Sequence, residues 1–323
     1  MPIIGQLDTE GQDIIGVAPL GGRIYVVCVA SNIIFAFETS SPYRRVDGFP
    51  VPGMYGPGDL GASDATQSLY VVNWAPDGTS LWRITPANRT GVRLANADNW
   101  TGTLSMMTGD LVLGVTGTGR LVAIDGRNGS VAWNATLPAS VVAPQHAVAA
   151  DASGNSIYVC HGWRDGQQHR ICLLNRRNST IVRCYGNFSG NATGQLNWPR
   201  HIALVTLPPP PPSPAGGINV TAGVNETAAT LYAVDYFNYR VLAFDAQFLI
   251  PSTHLGGGVV MMGNVNGTRF PQRLSYLSAV TASGSSTTSM NNSTVSSTPP
   301  TNNNATTANK LLVGMGVKPI ASF

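Results

Sequence analysis

The sequence predicts an all-β chain, folded as a six-bladed β-propeller of four-stranded antiparallel blades. Short runs of β-branched and aromatic residues alternate with Gly, Pro, Asn and Asp turns along almost the whole chain. No window keeps an amphipathic helical period for about ten residues. The runs also recur as a larger cycle, which separates a propeller from a sandwich.

Each cycle holds a Pro- or Gly-introduced strand A, an apolar strand B often carrying Tyr or Leu-Val, a strand C ending near Asp or Arg, and a looser strand D. IIGVAPL, RIYVVCV, NIIFAFE and YRRVDGF make the first over 14–49. GPGDLGAS, QSLYVVNW, TSLWRIT and TGVRLA make the second over 56–95, and TLSMMT, DLVLGV, GRLVAID and GSVAWNAT the third over 103–136. PQHAVAAD, NSIYVCHG, HRICLLN and STIVRCYG span 144–186, and WPRHIALV, ATLYAVDY, YRVLAFD and GGVVMMG span 198–263. The sixth cycle, 275–323, supplies only three strands. The apolar opening PIIGQL, about residues 2–7, fits as its missing outer strand. Closing the ring from both chain ends removes exposed sheet edges.

Two insertions interrupt the cycle between strands A and B. LPPPPPPSPAGGINVTAGVNETAA, 207–229, carries a proline run that must be polyproline II. The Ser/Thr/Asn-rich stretch 283–309 has too little apolar area to fold alone. Both project as loops from one face.

With 323 residues and 43% apolar content the chain can bury a core as one domain. Charged residues are 11% and the net charge is +3, too thin a field to hold nucleic acid or an anionic membrane surface. No apolar run is long enough to insert in a bilayer, and the opening residues lack a signal-peptide pattern, so Met1 is expected to begin a mature or trimmed chain. The compartment signal lies in the asparagines, of which 13 of 24 stand in Asn-x-Ser/Thr acceptors where chance gives about four. They are Asn88, Asn99, Asn128, Asn134, Asn178, Asn187, Asn191, Asn219, Asn225, Asn266, Asn291, Asn292 and Asn304. Turns in a β protein enrich the same residues, but secretion to the extracellular space or cell surface explains the excess better. An oxidising compartment also suits the cysteines. Cys160, Cys172 and Cys184 are spaced by 12, so Cys172 can face either Cys184 or Cys160 across a hairpin, with Cys28 remote.

WPRHIALV followed by LYAVDYFNYRVLAFD resembles an NHL repeat. LYVVNW with LWRI is a weaker relative that also resembles YWTD propellers, and GRLVAIDGRNGSVAW resembles a quinoprotein-like blade. The resemblance implies a propeller and leaves function open. Within the repeat, Asp235 can cap the following turn, Asn238 can adopt a left-handed conformation, and Arg240 can reach the Asp235 carboxylate. The proline run resembles hydroxyproline-rich stretches of algal and plant surface glycoproteins, which implies O-glycans beside the N-glycans.

An NHL-fold lyase that binds zinc through entrance histidines is the enzymatic rival. Its pattern puts His directly after Pro, where this chain has Gln145 and Arg200, with His146 and His201 one residue later. Too few entrances carry His for three zinc ligands, and no strong catalytic motif occurs. The sequence therefore predicts a non-enzymatic scaffold without cofactor or metal. Its partners are proteins, with self-assembly into an open polymer as one mode. The alternative is carbohydrate or small-ligand recognition at Gln145, His146, Arg200 and His201. In a propeller the A–B and C–D turns share one face, so Asn88, Asn128 and Asn178 are expected on one side, with Asn99, Asn187, Asn191 and Asn266 on the other.

Overall fold

The computed structural model describes residues 7, 14–28, 32–40, 42–96, 100–141, 145–151, 154–162, 168–206, 229–238, 240–255, 264–265, 268–269, 273–280 and 310–316. Five four-stranded antiparallel sheets form in chain order. Blade 1 holds β1 (Ile14–Leu20), β2 (Arg23–Cys28), β3 (Ile33–Glu38) and β4 (Arg45–Pro50). Blade 2 holds β5 (Pro57–Ser63), β6 (Ser68–Ala75), β7 (Gly78–Thr85) and β8 (Thr90–Asn96). Blade 3 holds β9 (Trp100–Met107), β10 (Leu111–Thr116), β11 (Arg120–Asp125) and β12 (Val131–Thr136). Blade 4 holds β13 (Gln145–Ala150), β14 (Ser156–His161), β15 (Arg170–Asn175) and β16 (Ile181–Tyr185). Blade 5 holds β17 (Pro199–Thr206), β18 (Ala229–Asp235), β19 (Arg240–Asp245) and β20 (Ile250–Leu255). After a small hairpin of β21 (Asn264–Val265) and β22 (Thr268–Arg269), β23 (Arg273–Val280) pairs with β24 (Lys310–Gly316).

The first strands of successive blades are neighbours, β1 beside β5, β5 beside β9, β9 beside β13 and β13 beside β17. β23 lies against both β17 and β1. The count of blades differs from the expectation: the described residues form five complete blades, not six, and β23 and β24 make a two-stranded sheet. A full blade there needs two more strands. The sequence offers the chain end and residues 2–7, of which only Leu7 lies within the described residues, packed against the core of blade 1. Residues 207–228 of the first insertion and all of the second, with Asn219, Asn225, Asn291, Asn292 and Asn304, lie outside the described residues, as do Asn99 and Asn266.

The apolar residues sit where blade meets blade. One cluster joins Ile15, Tyr25, Val27 and Phe49 of blade 1 to Leu60, Leu69, Val71 and Ile84 of blade 2. Others fill the spaces between blades 2 and 3, 3 and 4, and 4 and 5. Each sheet is thus apolar on both faces in its inner strands, and the outer strands turn polar, as β12 does with Val131, Ala132, Asn134 and Thr136 exposed. The inner strands converge, so they need small residues. A Cβ on Gly16 would stand 2.7 Å from the Leu60 amide nitrogen and 2.8 Å from Leu60 Cβ.

Two irregularities repeat from blade to blade. Every third-to-fourth strand pairing shifts register by one residue, between Ala36/Phe37, Leu81/Trp82, Ala123/Ile124, Leu173/Leu174 and Ala243/Phe244. A bulge of this kind strengthens the local twist that lets a sheet fan outward. The first strands of blades 1, 2, 4 and 5 carry a second bulge near their start, between Ile14/Gly16, Pro57/Asp59, Gln145/Ala147 and Pro199/His201. This second bulge sets which side chains stand at the blade entrances.

Candidate binding face

The ends of the second strands and the chain entering each first strand lie together. In blade 2 the side-chain Oδ1 of Asn73, the β6 residue opposite Pro57, accepts the backbone N–H groups of Tyr55 at 2.8 Å and Gly56 at 3.1 Å. In blade 5 the corresponding residue is Asp235, opposite Pro199. Its carboxylate is fully buried and accepts from Asn197 N–H at 2.6 Å, Asn238 Nδ2 at 2.8 Å and Arg240 Nε at 2.7 Å. Arg240 spends its other donors on the carbonyls of Asn191 at 3.2 Å and Gln195 at 2.8 Å. One charged pair therefore ties the 186–198 connection to the blade it enters. Burial pushes the Asp235 carboxyl up, while its donors pull the other way.

Asp235 holds the turn that follows it through the Asn238 side chain and, in addition, caps the incoming connection at the Asn197 N–H. Asn238 closes a 3-10 turn, Tyr236–Asn238, and is absent from the positive-φ residues; its amide instead bridges Asp235 and the Gly190 carbonyl. A turn of that shape lets Asn work through its side chain, with no need of a left-handed backbone.

Above the ion pair lies an aromatic cluster. Trp198, held at φ 59°, stacks edge-on to Tyr236 with centroids 4.8 Å apart and tilts against Phe237 at 4.9 Å. The Arg200 guanidinium lies over both rings, 5.4 Å from the Trp198 centroid and 5.0 Å from that of Tyr236. It makes no hydrogen bond or ion pair among the described residues, and the side chain is half-buried. A stacked guanidinium with free donors is a preset anchor for a carboxylate or a polar ligand. Exposed rings on the same side are Tyr55, Trp74, Phe188 and Phe237.

The four candidate ligand residues do not form the pattern their spacing suggested. Pro-Gln-His and Pro-Arg-His look equivalent, but Gln145 stands opposite His161 whereas Pro199 stands opposite Asp235. His146 and Arg200 share the bulge position, and His201 corresponds to Ala147. The side chains of Gln145 and His146 lie outside the described residues. His201 is buried inside the blade, so of the four only Arg200 is seen presented at the entrance. Among the described residues no group of three or more His, Cys, Asp or Glu side chains is placed to hold a metal ion.

Sequence reasoning passed over His161, at the end of β14. It is 2% exposed, and burial lowers its pKa to about 4, with the Arg170 charge adding to the effect. Only the strand register reveals it, because its equivalents are Asn73 and Asp235. Of the two cysteine pairings left open, the one formed is Cys172–Cys184, directly opposite each other on β15 and β16. Cys160 and Cys28 are buried and outside any disulfide.

The opposite face carries the third-to-fourth-strand turns, and four of them share one design. Arg89, Gly129, Ser179 and Leu249 each take a positive φ at the fifth position of a six-residue turn. In three the residue before is an acceptor asparagine: Asn88, Asn128 or Asn178. Asn88 Oδ1 accepts the Thr90 hydroxyl at 2.8 Å, Asn178 Oδ1 the Thr180 hydroxyl at 2.8 Å, and Asn128 Oδ1 the Ser130 N–H at 2.9 Å. The fourth turn achieves the same shape with Phe248, Leu249 and Ile250.

Comparison with known proteins agrees with this architecture. Residues 65–182, from the second blade into the fourth, match the family described as outer membrane protein assembly factor BamB. No curated protein matches the chain. Among solved structures, a chain in the crystal structure of a nidogen/laminin complex superposes with a TM-score of 0.53 at 12% identity, covering 77% of this chain and 81% of that one. At that identity the likeness is one of fold: this chain is an all-β propeller of four-stranded antiparallel blades.

Proposed function

We propose that this chain is a secreted, N-glycosylated propeller that binds protein partners and performs no catalysis. The observation that carries the reading is the placement of its acceptor asparagines. All six among the described residues, Asn88, Asn128, Asn134, Asn178, Asn187 and Asn191, are exposed. The turn geometry does not demand them, since Phe248-Leu249-Ile250 makes the same turn without an acceptor. Sugars on Asn88, Asn128 and Asn178 would cover one face of three successive blades. Exposed Tyr55, Trp74, Phe188 and Phe237, with Arg200, leave the other face richer in the residue types that dominate protein contacts. The nidogen/laminin likeness supports the same reading by analogy of fold alone.

Within this reading the partners include further copies of the chain, joined head to tail in an extracellular coat or filament. The direct test expresses the chain in a secretory host and treats it with a glycan-releasing amidase. A fall in mass with Asn-to-Asp conversion at the exposed acceptors is expected; an unmodified secreted chain overturns the reading. Sedimentation at rising concentration then reads self-association, and a strict monomer removes the filament.

Arg200 favours a second reading, recognition of a small polar ligand at the blade-5 entrance, where its stacked guanidinium is presented. Binding on a glycan or metabolite array that survives Arg200→Ala would reject it.

A further inference from the structure

Blade 4 repeats the frame of the Asp235–Arg240 pair with one member exchanged. In blade 5 Asp235 stands opposite Pro199 on one side and Arg240 on the other. In blade 4 His161 stands opposite Gln145 and Arg170. The cation has kept its place and the anion has become an imidazole.

The consequence is visible in the polar atoms. Arg240 Nε donates to Asp235 Oδ2 at 2.7 Å. The equivalent Nε of Arg170 is buried with no hydrogen-bond partner. His161, 2% exposed, has no partner on either Nδ1 or Nε2. The Arg170 side chain donates through Nη2 to Asn187 Oδ1 at 3.0 Å, an uncharged acceptor, and forms no ion pair among the described residues. Arg170 is only partly buried and its Nη2 end reaches the surface, but the Nε donor and both His161 nitrogens are out of reach of solvent. Buried polar atoms without partners cost free energy, and three of them together call for an occupant.

We propose that blade 4 holds one small monovalent anion, chloride or a single carboxylate group, between His161 and the Nε of Arg170. The imidazole offers one N–H and the guanidinium another, and the guanidinium supplies the charge. A water molecule can satisfy the donors, but an anion also meets the guanidinium charge on the Nε side that solvent does not reach. Charge-assisted hydrogen bonds are the stronger ones, so an anion is preferred. Blade 5 shows the same frame satisfied by a carboxylate from the chain itself. The site does not depend on secretion or on protein partners.

The test is thermal unfolding of the full chain at about pH 7.5 and fixed ionic strength, in potassium chloride, potassium formate and potassium gluconate. Chloride or formate is expected to raise the wild-type Tm by roughly 2–4 °C over the bulky gluconate. His161→Asp supplies the carboxylate internally and Arg170→Gln removes the cation, so both should lose the anion response. A chloride response identifies a halide site, and a response to formate alone identifies a carboxylate site. Equal Tm values in all three salts, or the same response in both variants, overturn the proposal. If His161→Asp fails to fold, Arg170→Gln decides alone.

Discussion

Replacing Asp235 with Ala should destabilise the chain more than almost any other polar substitution. The carboxylate is fully buried, and its loss leaves Arg240 inside the fold with its Nε donor and its charge unanswered. Breaking a buried pair from one side costs about 3–5 kcal/mol, because the surviving charge remains desolvated. The loss also strips an acceptor from Asn197 N–H and Asn238 Nδ2, so the upper half of that range is expected. In a domain of this size it lowers Tm by roughly 6–15 °C. Arg240→Met alone should be comparably harmful, since it strands the carboxylate. The double variant should cost at least about 2 kcal/mol less than the two singles combined, the signature of direct coupling. Urea unfolding followed by circular dichroism gives all four corners of this cycle. Additive effects, or a cost below about 1 kcal/mol for Asp235→Ala, would show that the pair does not hold the blade-5 entrance together.

His161 has a folded pKa of about 4 against an ordinary 6.5, so between those values the unfolded chain binds a proton that the folded chain refuses. In halide-free buffer stability should therefore fall by ~3 kcal/mol as pH drops from about 6.5 to about 4, and His161→Leu should flatten that part of the profile. Asn88→Gln, Asn128→Gln and Asn178→Gln should each remove one releasable glycan from secreted protein with little change in Tm; intact-mass spectrometry reads both the number and the site. Cys172→Ala opens the Cys172–Cys184 bond across one hairpin and should cost about 2–3 kcal/mol, measured against wild type under non-reducing conditions. Gly16→Ala pushes a Cβ into Leu60 of the next blade and should cost about 1–3 kcal/mol by the same unfolding assay.

Much of the architecture was legible because a propeller is written locally. The unbroken apolar run in RIYVVC or RICLLN sets a strand with both faces buried, and Gly21-Gly22 or Thr85-Pro86-Ala87-Asn88 sets the turn beside it. The repeat of the cycle then dictates that each sheet packs on the next. The entrances were far less legible. A bulge displaces one strand by a residue and has no composition of its own, so PQH and PRH read alike although His201 aligns with Ala147. The same displacement hid His161, which matters only through what stands opposite it. Blade number was overread for a related reason. Apolar runs such as KLLVGMG show that a strand exists, and β24 does pair with β23, but a run cannot say how many neighbours its sheet gains.

The exposed apolar residues divide in a way that bears on how such a chain makes contacts. Among the described residues five of the large ones are β-branched, Val46, Val92, Val131, Val182 and Ile250, one on the outermost strand of each complete blade. Five more of the described residues are exposed aromatics, and four of these lie on the face of the blade entrances, with Phe248 on the other. A scattered valine on an edge strand reflects β-propensity on a half-buried surface and needs no partner. Trp74 lies near the end of a strand, but Tyr55, Phe188 and Phe237 lie in turns and connections, which favour small polar residues. These rings on one face beside a stacked arginine therefore have no such local cause. The asymmetry therefore points contact toward the entrance face. If Phe188→Ser and Phe237→Ser together leave concentration-dependent association intact while Val131→Lys abolishes it, the rim is the contact surface and this ordering of the two faces fails.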